Sequence, residues 1–290
     1  MIYDCFIFNN ELEILNIRLE YLYDQVDYFV LVEANRTLTG IPKPLTFKEN
    51  ADQFSKYSDK IIYIQAEEKP ELKDWDYEWY QRNVIKEGLK NCNDDDIIFV
   101  SDVDEIINIG EILKRDNIES PALIEVPMYY YFFNIKLEEP FQFNMVSRYK
   151  DLKDFHIGNR MTFRDFASRI IKPVGFNTGW HFSFLFGFDI KRYIEKIESF
   201  SHQEYNTPFF KDPKRIYNNL LVQRDIFNRS FVNLKLCDPA EYAEISPVFK
   251  KLGLEKYHFR ITPKLFFQIS YLKLHSKINM AIFRLKNLKK

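Results

Sequence analysis

The sequence predicts an α/β fold, a mixed sheet flanked by helices, and three observations carry that expectation. Apolar runs of strand length alternate with helical patterns over roughly the first hundred residues. The fourth of these runs, Ile97–Val100, stops at a knot of carboxylates: Asp102, Asp104 and Glu105. A chain of 290 residues, 46% hydrophobic and 17% aromatic, also has the material for a substantial core.

Taken in order, residues 3–8 read as a first strand. Asn9 or Asn10 can cap the following helix, whose apolar positions Leu12, Leu15, Leu19, Leu22 and Tyr23 share one face. A second strand over 27–33 ends in Glu33, and a loop rich in Thr, Gly and Pro spans 34–46. Strand 60–65 and helix 76–92 lead into Ile97–Val100. Strand, helix, strand, strand, helix, strand is the pattern of an α/β nucleotide-binding half. Beyond it, 122–128, 129–136, 170–174 and 180–186 read as strands, 189–200 and 212–227 as helices, and 228–238 as strand or loop. No repeat or low-complexity linker interrupts residues 1–262, which read as one domain. Residues 263–290 differ: seven cations, no acid, and Phe267, Tyr271, Leu274, Ile278, Ala281, Leu285 and Leu288 at helical spacing predict a basic amphipathic helix.

The carboxylates state the chemistry. In open α/β sheets, ligands bind beyond the carboxyl ends of strands. Residues i and i+2 of an extended segment point the same way, so Asp102 and Asp104 can converge on one point. Two converging carboxylates call for a cation, and oxygen ligands favour hard ions such as Mg²⁺ or Mn²⁺, which keep positions open for phosphates. An EF-hand starting at Asp102 fits poorly, because no Gly stands at the sharp turn and no Glu closes the loop. A phosphohydrolase using the Asp-x-Asp as nucleophile stays open as an alternative, although three strands precede the motif and no paired downstream Asp motif follows. A carbohydrate-binding protein without catalysis is a third class; it would suit the 28 Phe and 18 Tyr but has no need of both aspartates.

Composition narrows the setting. A net charge of −1 argues against nucleic-acid binding. Three widely spaced cysteines, Cys5, Cys92 and Cys237, imply neither a disulfide framework nor a zinc site, so a reducing cytoplasm is expected. The opening residues lack the features of a signal peptide, and no stretch approaches the length of an apolar membrane span.

Several segments together resemble glycosyltransferase family 17, the β-1,4-mannosyl-glycoprotein β-1,4-N-acetylglucosaminyltransferase family. They are Phe8–Leu15, Val32–Leu45, Asp95–Ile106 and Gly179-Trp-His-Phe-Ser183, with a weaker match at Lys256-Tyr-His-Phe259. The resemblance runs over roughly residues 1–262 and leaves the basic tail outside. It implies a GT-A-like fold, a UDP-sugar donor (UDP-GlcNAc in the best-known members) and inversion at the anomeric carbon.

With that expectation, roles can be assigned by residue. Asp104 is expected to bind the metal, and Asp102 to reach the metal, its bound water or the ribose. Arg82 is a candidate donor-site cation, and Glu33 a candidate neighbour of the nucleobase. His181 belongs to the active site by its Gly-Trp-His motif, and His258, late in the chain, is the candidate additional metal ligand. For the catalytic base, Glu204 in Ser201-His-Gln-Glu-Tyr-Asn206 is expected, ahead of Asp189. A glycan or lipid-linked saccharide is the expected acceptor. The basic tail is expected either to pack on the domain or to touch the inner face of an anionic membrane peripherally.

Overall fold

The computed structural model describes residues 1–115, 120–167, 169–173 and 177–287, the stretch 276–287 as backbone only. Twelve strands are described. They are β1 (Ile2–Phe8), β2 (Tyr28–Glu33), β3 (Ile61–Gln65), β4 (Ile97–Val100), β5 (Glu105–Ile107) and β6 (Ala122–Val126). There follow β7 (Met128–Tyr130), β8 (Ile135–Leu137), β9 (Phe141–Arg148), β10 (Arg169–Ile171), β11 (Gly179–Ser183) and β12 (Leu234–Leu236). A seven-stranded mixed sheet has the order β10-β6-β9-β4-β1-β2-β3, and a five-stranded one the order β12-β8-β7-β11-β5.

In the large sheet β4, β1, β2 and β3 run parallel, while β9 lies antiparallel between β4 and β6. Parallel strands covered on both faces need apolar side chains on both, which explains their unbroken Ile, Val and Phe runs. The faces sort by alternation. Phe6, Phe29, Leu31 and Phe99 enter one core, which receives the helix Leu12–Leu22. Cys5, Val30, Val32, Ile98 and Val100 enter another, covered by the helix Asp74–Gly88. A third core joins the small sheet to the helices Ile190–Ser199 and Pro213–Leu221.

Some boundaries differ from expectation for local reasons. The expected strand 129–136 is broken, because Tyr131 adopts a left-handed φ of +69° and Ile135 turns back to bond Phe132. The expected helix 212–227 ends at Leu221, where Gln223 takes a φ of +55°. Glu11, not Asn9 or Asn10, occupies the cap position of the first helix and makes no side-chain cap. Strand β9 escaped the pattern because Gln142, Asn144 and Ser147 dilute its apolar residues, although Asn144 and Ser147 are buried.

The tail forms the helix Pro263–Asn287. Leu265, Ile269 and Leu272 face the third core. Phe267, Tyr271 and Leu274, the first three residues of the expected stripe, lie on the opposite side and are mostly exposed. The side chains of Ile278, Ala281 and Leu285, and all of Leu288, lie outside the described residues.

Candidate active site

The carboxyl ends of β1, β2 and β4 open into a cavity of about 710 Å³. The turn Asp102–Asp104 follows β4 and passes directly into β5, which pairs antiparallel with β11. In that register Gly179 stands opposite Ile107, Trp180 opposite Ile106 and His181 opposite Glu105. The amide of Phe182 donates to the carbonyl of Asp104 at 2.8 Å. Each residue of Gly-Trp-His therefore has its own task. Gly179, with φ +138°, permits a backbone approach so close that a Cβ there would lie 2.3 Å from the Ile106 carbonyl oxygen. Trp180 is buried, and His181 enters the cavity.

Asp104, Glu105 and His181 form a cluster whose ligand atoms lie within 4.8 Å of one another. His181 Nε2 is 3.7 Å from Asp104 Oδ1, and Nδ1 is 3.9 Å from Glu105 Oε1. That Nδ1 is buried without a hydrogen-bond partner, which is uncommon for a buried polar atom. Burial pushes the Asp104 carboxyl up to about 6, with Glu105 and Asp102 adding to the rise against the pull of His181 and Lys196. Two carboxylates and an imidazole sharing so small a volume fit a divalent cation.

Asp102 is placed differently. Arg82 Nη2 donates to its Oδ1 at 3.1 Å, and Arg160 Nη1 to its Oδ2 at 2.7 Å. Burial alone would raise its carboxyl, but Arg160 and Arg82 outweigh burial and hold it well below the usual carboxylate range. Arg160 also grips Glu105 with both Nη atoms, at 2.9 and 2.7 Å. Arg82 bonds Glu78 as well, whose other oxygen accepts from Ser201 Oγ. Across the cavity, Lys196 is paired with Glu11; Glu11 and Asp104 together outweigh burial and raise its ammonium.

Of the residues expected from sequence, Asp102, Asp104, Arg82 and His181 line one cavity. Glu33, Glu204, Asp189 and His258 do not line it. Glu33 is spent on the loop, accepting from the amides of Phe47 and Lys48 and the Tyr63 hydroxyl while Lys43 lies 3.6 Å away. His258 bonds Tyr242 at 3.1 Å and packs on Phe133, so the histidine beside the carboxylates is His181. Glu204 is exposed and accepts from or faces His202 Nδ1 at 2.7 Å; it is His202 that reaches the cavity wall. Asp189 stands at the start of the helix Ile190–Ser199 without a side-chain cap. Arg160, Lys196 and Glu78 also line the cavity without any signal in the sequence, because single charged residues on loops and helices carry no motif.

Fold and site together define a mixed α/β protein with an acid–imidazole cluster and surrounding cations at the carboxyl edge of its parallel strands. The chain belongs to glycosyltransferase family 17, whose pattern matches residues 1–243. It is 32% identical over 107 residues to the human β-1,4-mannosyl-glycoprotein 4-β-N-acetylglucosaminyltransferase. That stretch covers 34% of this chain and 20% of the human protein. The rat protein of the same name matches to the same extent. Among solved structures, 2-C-methyl-D-erythritol 4-phosphate cytidylyltransferase of Francisella tularensis superposes with a TM-score of 0.36 at 12% identity, over 61% of this chain and 93% of that one. HddC from Yersinia pseudotuberculosis, complexed with GMP-PN, gives 0.34 at 11%, over 62% and 88%.

Proposed function

We propose that this chain is a metal-dependent, inverting glycosyltransferase of GT-A-like arrangement, transferring GlcNAc from UDP-GlcNAc to a glycan or lipid-linked saccharide. One observation carries the reading: in a family 17 chain, Asp102, Asp104, Glu105 and His181 meet in one cavity ringed by Arg82, Arg160 and Lys196. Asp104, Glu105 and His181 would hold the ion. Their mixed oxygen and nitrogen donors favour Mn²⁺ over Mg²⁺, which prefers oxygen alone. A bound cation would supply charge to neutralise the leaving nucleoside diphosphate. Asp102 serves as the anchor that aims Arg82 and Arg160 into the same space.

The acceptor hydroxyl must give up its proton as its oxygen bonds the anomeric carbon and the bond to the diphosphate breaks. Glu204 enters that step through His202. A proton on His202 Nδ1, shared with Glu204, leaves Nε2 free to accept the one from the acceptor. Trp75, edge-on to His202 at 4.8 Å and 41% exposed, offers a face for a sugar ring on the same wall. The tail helix adds a site of action. It is apolar on two opposite faces, one of them uncovered, and the sequence from Pro263 on carries seven cations without an acid, which suits peripheral contact with an anionic membrane. A cytoplasmic location is part of the same proposal and rests on the three free cysteines. The test is UDP release from UDP-GlcNAc with Mn²⁺, with Mg²⁺ and with EDTA. Release indifferent to EDTA, or none with any divalent cation, overturns the metal-dependent reading.

A further inference from the structure

Beneath the acidic turn lies a group that no part of the proposed chemistry uses. Arg18, on the buried face of the helix Leu12–Leu22, has no exposed side-chain surface, and neither has its partner Asp4 on the central strand β1. Its guanidinium bonds are all directed. Nε donates to Asp4 Oδ2 at 2.7 Å, and Nη2 to Asp4 Oδ1 and to Ser101 Oγ. Nη1 points the other way, to three carbonyl oxygens of the turn: Asp102 at 2.7 Å, Val103 at 3.3 Å and Glu105 at 2.9 Å. Ser101 Oγ in turn donates to the Glu105 carbonyl at 3.1 Å.

We infer that Arg18 is a positioning residue for the acidic turn, drawing its carbonyls inward so that the carboxylates of Asp104 and Glu105 face His181. Carbonyl oxygens converging in a dry interior repel one another and cost free energy unless a donor meets them. The planar guanidinium meets them with Nη1 while Nε and Nη2 stay fixed on Asp4, a span that the single nitrogen of an ammonium does not have. A buried ion pair adds little net stability beside an apolar pair of the same volume, so its value here lies in the geometry it imposes. The carbonyls of Asp102, Val103 and Glu105 flank Asp104, whose own carbonyl accepts from the Phe182 amide, so holding them fixes the backbone from which the Asp104 and Glu105 side chains leave.

This inference rests on reading Asp104, Glu105 and His181 as the ion's ligands, so the experiment has one arm without metal. Arg18→Lys keeps the charge opposite Asp4 and removes the fork. In metal-free protein, amide exchange of a peptide spanning residues 101–107 should quicken at least about tenfold, with the rest of β1 and β2 unchanged. In the second arm, Mn²⁺ binding followed by electron paramagnetic resonance should weaken by roughly 10–100-fold, the usual range for losing a group that orients ligands. Ser101→Ala, a milder change in the same network, should move both readouts the same way by less than Arg18→Lys does. Unchanged exchange and unchanged Mn²⁺ affinity in folded Arg18→Lys protein overturn the inference. Failure of the native protein to bind Mn²⁺ overturns the metal reading, while the exchange arm still decides the role of Arg18.

Discussion

Replacing Gly179 by Ala tests the link between the second sheet and the site. The new Cβ would meet the Ile106 carbonyl oxygen at 2.3 Å, Ile107 Cα at 2.9 Å and the Asn108 nitrogen at 3.1 Å. All three are backbone atoms, so no side chain can swing aside. The φ of +138° adds strain that an L-residue does not escape. Overpacking costs about 1–3 kcal/mol and a disfavoured backbone conformation about 1–3 kcal/mol more, so a destabilisation of roughly 2–6 kcal/mol is expected. Gly253 provides the control. Its φ is +66° but nothing lies within 4 Å, so Gly253→Ala should cost only about 1–2 kcal/mol. Urea unfolding of the three proteins measures both costs. Because relief of the clash pushes β11 from β5, His181 should also leave Glu105, and Mn²⁺ affinity should fall in Gly179→Ala but not in Gly253→Ala. A Gly179→Ala protein no less stable than the control, with native Mn²⁺ affinity, would refute the close-approach argument.

Asp104→Ala should abolish Mn²⁺-dependent UDP release while circular dichroism stays native; activity that survives places the ion elsewhere. Because burial holds the Asp104 carboxyl at about 6, above the ordinary 3.8, protons should compete with Mn²⁺ as pH falls through that value. The same sign makes the metal-free fold gain stability from this group as pH drops through about 6, and Asp104→Asn should remove that gain in urea titrations at pH 7 and 5. His202→Ala should cut turnover by roughly 10²–10⁴-fold and Glu204→Gln by less, with UDP affinity intact; a parallel loss of UDP affinity would make the pair a binding element. Truncation after Thr262 should abolish salt-sensitive co-sedimentation with anionic vesicles, and equal pelleting of both chains would reduce the tail helix to packing.

The parallel half of the sheet was legible because burial on both faces demands runs such as Phe29-Val-Leu-Val32, and such runs have few alternative explanations. Asp102, Asp104 and His181, which the fold gathers at one cavity, each sit in a local pattern that marks them: strand then Asp-x-Asp, Gly then Trp then His. Assigning His258 to the metal rested on chain position alone. Chain position does not say which residues a sheet brings face to face, and the pairing of β11 with β5 sets His181, not His258, opposite Glu105.

What the sequence by itself determined is therefore whatever is encoded over a few consecutive residues: strand and helix periods, the acidic turn and the basic, acid-free tail. Only the tertiary structure decided the partners. Arg160, 58 residues from Asp102, and Arg18, 84 residues before that same turn, become its neighbours through strand order and register. Glu33 shows the converse, since its place at the end of a strand put it near the site while hydrogen bonds from the Phe47 and Lys48 amides use its carboxylate in the loop. The physical reason is that backbone periodicity is a short-range property, whereas electrostatic pairing acts through space, and a lone charged residue carries no sign of which distant charge the fold will place against it.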